Sequence, residues 1–202
     1  MEKLLAGYQR FRANGWPEQR RVFESLAQNG QFPKALVLGC IDSRVDPARI
    51  FDTVPGEVLT VRNVANLVPP YAPDAAYHGT SAALEFGVRV LEVRDLIVLG
   101  HGSCGGVQAL LEDAPNPALE FIGPWMSIAR PARDRALQCT RPEERQQVCE
   151  HEVIKVSLAN LMTFPWVAGR VAAGKLTLHG AWFDIRMGVL MILRPDGAFS
   201  VQ

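Results

Sequence analysis

The chain has 202 residues, and its 21 Lys and Arg balance 21 Asp and Glu, so no basic surplus advertises nucleic acid or an anionic membrane as a partner. No stretch approaches the ~18 apolar residues needed to span a bilayer. The opening "MEKLLAGYQRFRANG" lacks an apolar signal core, so a cytoplasmic protein is expected. Four cysteines are too few for a disulfide scaffold at this length, which leaves packing, catalysis or metal binding as their roles.

Length predicts a single domain over 1–202. Leu4, Leu5, Tyr8 and Phe11 recur at helical spacing, and a second helix is expected to begin near Pro17 and carry Val22, Phe23 and Leu26. Residues 1–30 therefore read as an N-terminal helical arm. "ALVLGC" (35–40), "EVLTVRNVAN" (57–66) and "DLIVLG" (95–100) are too apolar to alternate, as strands covered on both faces are. "SAALEFGVRVLEV" between them has helical periodicity, so strand, helix, strand implies parallel pairing with right-handed crossovers. "EERQQVCEHEVIKVSLANLMTF" reads as a long helix stopped by Pro165, and "KLTLHGAWFDI" with "GVLMILRPDGAFSVQ" as a closing strand pair or hairpin. The expected fold is α/β: a central, mostly parallel β-sheet flanked by helices, with the N-terminal arm and a C-terminal strand pair at the sheet edge.

Two of these strands end in polar clusters. "VLGCIDSRVDP" (37–47) sets Cys40, Asp42 and Arg44 at steps of two, and "VLGHGSCGG" (98–106) sets His101 and Cys104 three apart among glycines. The carboxyl edge of a parallel sheet is where ligands bind, so the two clusters are expected to meet there. Two thiolates and an imidazole from Cys40, Cys104 and His101 form the three-ligand pattern of catalytic zinc, with a fourth position for water. Asp42 has two partners to choose between. On zinc it closes the site. On Arg44, which can hold a carboxylate bidentately, it leaves the fourth position to water and can accept a hydrogen bond from the resulting hydroxide.

"CIDSR" followed by "HGSC", with "PGEVLTVRNVANLVPPY" between them and "LHGAWFDI" near the end, resembles the β-class carbonic anhydrases over about residues 31–185. The resemblance implies reversible hydration of carbon dioxide to bicarbonate on zinc, by attack of zinc-bound hydroxide. It also implies a homodimer, paired further in many members as a dimer of dimers, with active sites at the dimer interface. The plant-like subtype is the better match: Gln31, nine residues before Cys40, corresponds to a glutamine that binds substrate across the interface. Val37 and Phe183 stand where the bicarbonate-inhibited subtype has Trp and Tyr, so that inhibitory site is expected to be missing. The family's active-site Tyr is Phe86 here, and Leu59 stands where plant-like members often have Phe. The apolar substrate pocket is thus expected from Val64, Phe86 and Leu59, with the Gly105 amide a candidate to face substrate.

Other readings are weaker. Ser103 lacks the glycine two residues before it that a nucleophile elbow requires, and no Lys-Ser or Lys-Thr follows the glycines at 100–106 as in a phosphate loop. Cys139, Cys149, His78, His151 and His179 have no ligand-like spacing and read as packing or surface residues. Two rivals remain open: hydrolysis of carbon disulfide or carbonyl sulfide on the same zinc site, and a non-catalytic zinc-binding module.

Overall fold

In the computed structural model, which describes residues 1–112 and 119–201, two helices open the chain, α1 (Glu2–Arg10) and α2 (Trp16–Asn29). A π-helical turn over Phe11–Gly15 joins them without a break, because Gly15 and Trp16 keep helical dihedrals. The boundary expected near Pro17 is therefore a change of helical pitch within one rod; a widened turn accommodates a residue with no N–H where a regular helix would lack a bond. No residue of the arm is buried. Phe11, Trp16 and Phe23 pack on one another with ring centroids 5.3 to 6.4 Å apart. Leu4, Leu5 and Tyr8 stay 50–73% exposed, so the arm's apolar stripe has no cover within its own chain.

The strands are β1 (Ala35–Cys40), β2 (Val58–Asn63), β3 (Asp95–His101), β4 (Thr177–Asp184), β5 (Val189–Leu193) and β6 (Phe199–Val201). They form one sheet in the order β2-β1-β3-β4-β5-β6, the first four parallel and the last two antiparallel. "KLTLHGAWFDI" thus does more than close the sheet: as β4 it is an interior strand, parallel to β3, and β5 and β6 form the edge beyond it.

Helices α3 (Pro47–Ile50), α4 (Gly79–Glu85), α5 (Gly105–Glu112), α6 (Ile122–Met126), α7 (Arg130–Leu137), α8 (Arg145–Leu161) and α9 (Pro165–Ala172) flank the sheet. Pro165 does not stop the long helix, which ends at Leu161. It opens α9 instead, and Phe164 before it is extended, as a residue preceding proline must be. Helix α8 packs on β3 and β4. That close approach depends on two glycines: a Cβ at Gly100 or Gly180 would come within 2.7 Å or 3.0 Å of Ile154. Ile154 joins Leu36, Leu38, Val98 and Trp182 in one buried cluster, while Cys149 and Val153 join Cys40, Cys104 and Val107 in a second at the strand ends. One helix therefore ties the sheet core to the polar edge.

His151, also on α8, stacks on Phe199 at 4.1 Å and meets Trp182 edge-on at 5.0 Å. Burial lowers its pKa from 6.5 to about 4, with Lys155 adding to the effect and Glu152 opposing it. The unfolded chain therefore binds a proton that the folded chain refuses between pH 6.5 and about 4, and stability is lost as pH falls through that window. At ~1.4 kcal/mol per pKa unit the ceiling is about 3 kcal/mol, and partial solvent access brings it to about 1–2 kcal/mol. Urea titrations at pH 7 and pH 4.5 should show this extra acid sensitivity in wild type and not in His151→Phe.

Candidate metal centre

Strands β1 and β3 are neighbours in register, Gly39 opposite Leu99, so Cys40 and His101 emerge at the same carboxyl edge although sixty-one positions separate them in sequence. The loop then doubles back. Ser103 takes a left-handed φ of 56°, which turns the chain so that Cys104 points into the same space before α5 begins. The Sγ atoms of Cys40 and Cys104 and a ring nitrogen of His101 all lie within 4.8 Å of one another. All three residues are at most 5% exposed.

His101 Nδ1 lies 2.9 Å from the Gly102 carbonyl. A carbonyl can only accept, so Nδ1 carries the hydrogen and Nε2 bears the lone pair. That Nε2 is buried and has no hydrogen-bond partner. A buried lone pair facing two sulfurs fits a soft divalent metal of the zinc type, and the donor set is that of catalytic zinc sites. The two thiols are coupled: the hydrogen bond from Cys104 lowers the pKa of Cys40 against the cost of burial, while the Cys40 partnership and burial raise that of Cys104.

Asp42 lies against Arg44. Arg44 donates from Nε to Oδ1 at 2.9 Å and from Nη2 to Oδ2 at 2.6 Å, and its backbone N–H adds a third bond to Oδ1 at 2.9 Å. The guanidinium holds the Asp42 carboxyl well below the usual carboxylate range. Oδ2 also lies 4.0 Å from His101 Nε2. Arg44 Nη2 donates in addition to the Ser103 carbonyl at 2.9 Å, linking the two strand-end loops.

Sequence reasoning missed Arg62 and Glu150. Arg62 lies opposite Gly39 in the β1–β2 register and donates to the Cys40 and Asp42 carbonyls at 2.8 and 2.6 Å. Glu150 accepts the Cys104 N–H at 3.0 Å. Its i,i+4 spacing from Gln146 was the one available signal.

Beside the cluster is an apolar groove of about 700 Å³ lined by Ile41, Val64, Tyr77, Phe121, Trp125 and Ile128. Val64 packs against the cluster containing Cys40 and Cys104, and space is open where a Gly105 Cβ would stand. Within one protomer Gln31, Leu59 and Phe86 lie elsewhere. Leu59 packs against the core containing Leu36, Phe86 is 48% exposed and does not line the groove, and Gln31 precedes β1 at the opposite end of that strand from Cys40.

Taken together, these observations describe an α/β protein with a buried Cys-His-Cys set, able to hold a metal ion, at the carboxyl edge of its sheet. The Carbonic anhydrase family model matches residues 35–190. Beta carbonic anhydrase 3 of Arabidopsis thaliana is 39% identical over 97% of this chain and 78% of its own length. The solved β-carbonic anhydrase CcaA superposes with a TM-score of 0.93 at 32% identity, covering 100% of this chain and 92% of its own. One of two tetrameric β-carbonic anhydrases of the ascomycete Sordaria macrospora superposes with a TM-score of 0.83 at 27% identity, over 98% of both chains. The chain belongs to the β-class carbonic anhydrase family, and it is a carbonate dehydratase.

Proposed function

We propose that this protein hydrates carbon dioxide to bicarbonate and a proton with zinc as cofactor, held by Cys40, His101 and Cys104. The observation that carries the reading is the orphaned, buried His101 Nε2 facing two cysteine sulfurs, with Asp42 beside it bound to Arg44. When bound there, zinc supplies a Lewis acid able to bring the pKa of water from ~15.7 toward ~7. Arg44 keeps Asp42 ionised and therefore acceptor-only, so its carboxylate takes a hydrogen bond from the reacting water and orients it. Asp42 would be a fourth zinc ligand only in a closed state. Val64 and the apolar groove receive carbon dioxide, which has no charge to pair, and the Gly105 amide faces one of its oxygens.

Gln31, Phe86 and Leu59 complete the pocket in an assembled enzyme. Gln31 lies more than five strand residues from Cys40 along β1, at ~3.3 Å per residue, so it reaches a metal centre only in another protomer. The uncovered stripe of the arm and the tetrameric state of the Sordaria enzymes support a homodimer, with a dimer of dimers as the larger form. Sedimentation should find no monomer retaining full turnover, and Gln31→Ala should raise KM more than it lowers kcat, a defect in substrate binding.

Val37 packs in a buried cluster bordered by Phe183. This pair lacks the polar atoms of the Trp and Tyr expected in a bicarbonate-inhibited enzyme, so activity should not depend steeply on bicarbonate. Among the described residues no helix is long and apolar enough to cross a membrane. Stopped-flow hydration with carbon dioxide, run beside carbon disulfide and carbonyl sulfide, tests the substrate. Turnover of a sulfur compound in place of carbon dioxide would overturn the reading.

A further inference from the structure

Glu150 is the sole buried carboxylate among the described residues, 3% exposed, and none of the hydrogen bonds it accepts comes from a cation. Its three hydrogen bonds come from neutral donors. Oε1 accepts the Cys104 backbone N–H and the Gln146 side-chain amide, each at 3.0 Å, and Oε2 accepts the Trp182 indole N–H at 3.1 Å. Burying a carboxylate on neutral donors is costly, and desolvation raises its pKa despite all three bonds. A helix core position could carry Leu or Met at lower cost, so the acid needs a reason to be there.

Its bonds converge on one residue. Gln146, one turn earlier on α8, also donates to the Cys104 carbonyl at 3.0 Å, and the first turn of α5 uses the same carbonyl through Gln108 N–H. Both backbone groups of Cys104 are thus held by α8. Trp182, in register with Gly100 on β4, anchors the other carboxylate oxygen to the sheet. Cys104 needs such support more than Cys40, which ends a regular strand, because it follows the left-handed Ser103 in a glycine-flanked turn. Without α8 its N–H would be a buried donor lacking an acceptor.

The geometry points to Glu150 and Gln146 as positioning residues that hold the backbone of Cys104 and so aim its sulfur at the metal; this rests on the zinc site proposed above. Ligand supports of this kind are typically worth 10- to 100-fold in metal affinity or activity. In Glu150→Gln one amide oxygen cannot serve both Cys104 and Trp182, and the new NH₂ opposes one of those donors.

The test is zinc release from the holoenzyme into an excess of chelator, together with the absorption spectrum of the cobalt-substituted protein. Glu150→Gln should release zinc about 10- to 100-fold faster and shift the thiolate-to-cobalt band. Gln146→Met, at a partly solvated position that tolerates the change, should release it about fivefold faster. Trp182→Phe perturbs the same helix–sheet contact while leaving the Cys104 bonds in place, and should stay within about twofold of wild type. If Glu150→Gln does not fold, Gln146→Met decides. Wild-type release rates and spectra in the folded Glu and Gln variants would overturn the assignment, as would equally fast release from Trp182→Phe, which would mark general loosening. Wild-type protein that takes up no zinc would instead sink the metal reading itself, and the positioning role with it.

Discussion

Cys104→Ser should abolish metal binding and hydration together, with activity down at least about a thousandfold. Serine keeps the branching of cysteine with a smaller oxygen on a shorter bond, and at neutral pH that oxygen stays protonated, a poor ligand where a thiolate is a strong one. The two remaining donors, Cys40 and His101, would leave the metal half held. Most of the rate resides in metal activation of water, which lowers its pKa by ~9 units, so losing the metal removes nearly all of it. Cys40→Ser should behave alike. Elemental analysis after dialysis and a stopped-flow assay on the same samples check both points, and full activity in a zinc-free preparation would end the mechanism. The protein should stay folded, since Cys104 contributes little volume to a cluster also built from Val107, Met126 and Val153.

The parts of the molecule legible in sequence were those with a local signature. Apolar strands without alternation announced the covered parallel strands β1 and β3, whereas β2, read the same way, is the sheet edge and has no buried residue; "CIDSR" with "HGSC" announced the Cys-His-Cys cluster, because side chains at strand ends need only adjacent strands to meet. Three kinds of feature were not legible. The place of β4 inside the sheet depends on its pairing with β3, which no pattern within "KLTLHGAWFDI" encodes. The continuous arm and the reset at Pro165 reflect how neighbouring turns absorb a missing N–H, whereas the proline alone suggests a stop. Arg62 and Glu150 act on backbone atoms of residues 22 and 46 positions away, and hydrogen bonds to backbone leave no complementary residue type to read. Phe86 and Leu59, read from the sequence as pocket residues, lie away from the groove within one protomer.

Arg44→Ala and Asp42→Ala should both retain zinc and both lose turnover, for opposite reasons. Removing the Arg44 side chain takes away two charged hydrogen bonds from the Asp42 carboxylate and leaves only the backbone N–H bond to Oδ1. At ~1.5–3 kcal/mol for each bond to a charged group, the hold on the carboxylate weakens by about 3 kcal/mol or more. A metal held by His101 Nε2 would then compete for the carboxylate, since Oδ2 is already 4.0 Å from that nitrogen. A shift of that size moves the population about 100-fold toward carboxylate on the metal, with hydration falling in proportion. Asp42→Ala cannot close the site. It keeps the fourth position for water but loses the acceptor that orients it, a loss of about 10²- to 10⁴-fold for a group in proton handling. Cobalt spectra separate the two cases. Arg44→Ala should show one carboxylate in a fixed four-ligand set that is insensitive to added anions, and Asp42→Ala a spectrum that anions still perturb. The Arg44–Ser103 bond adds a check, because its loss in Arg44→Ala loosens the tie between the two strand-end loops without touching a ligand. Wild-type turnover in Arg44→Ala with an anion-sensitive cobalt spectrum would reduce Arg44 to a structural partner of Asp42 and remove the gate from "CIDSR".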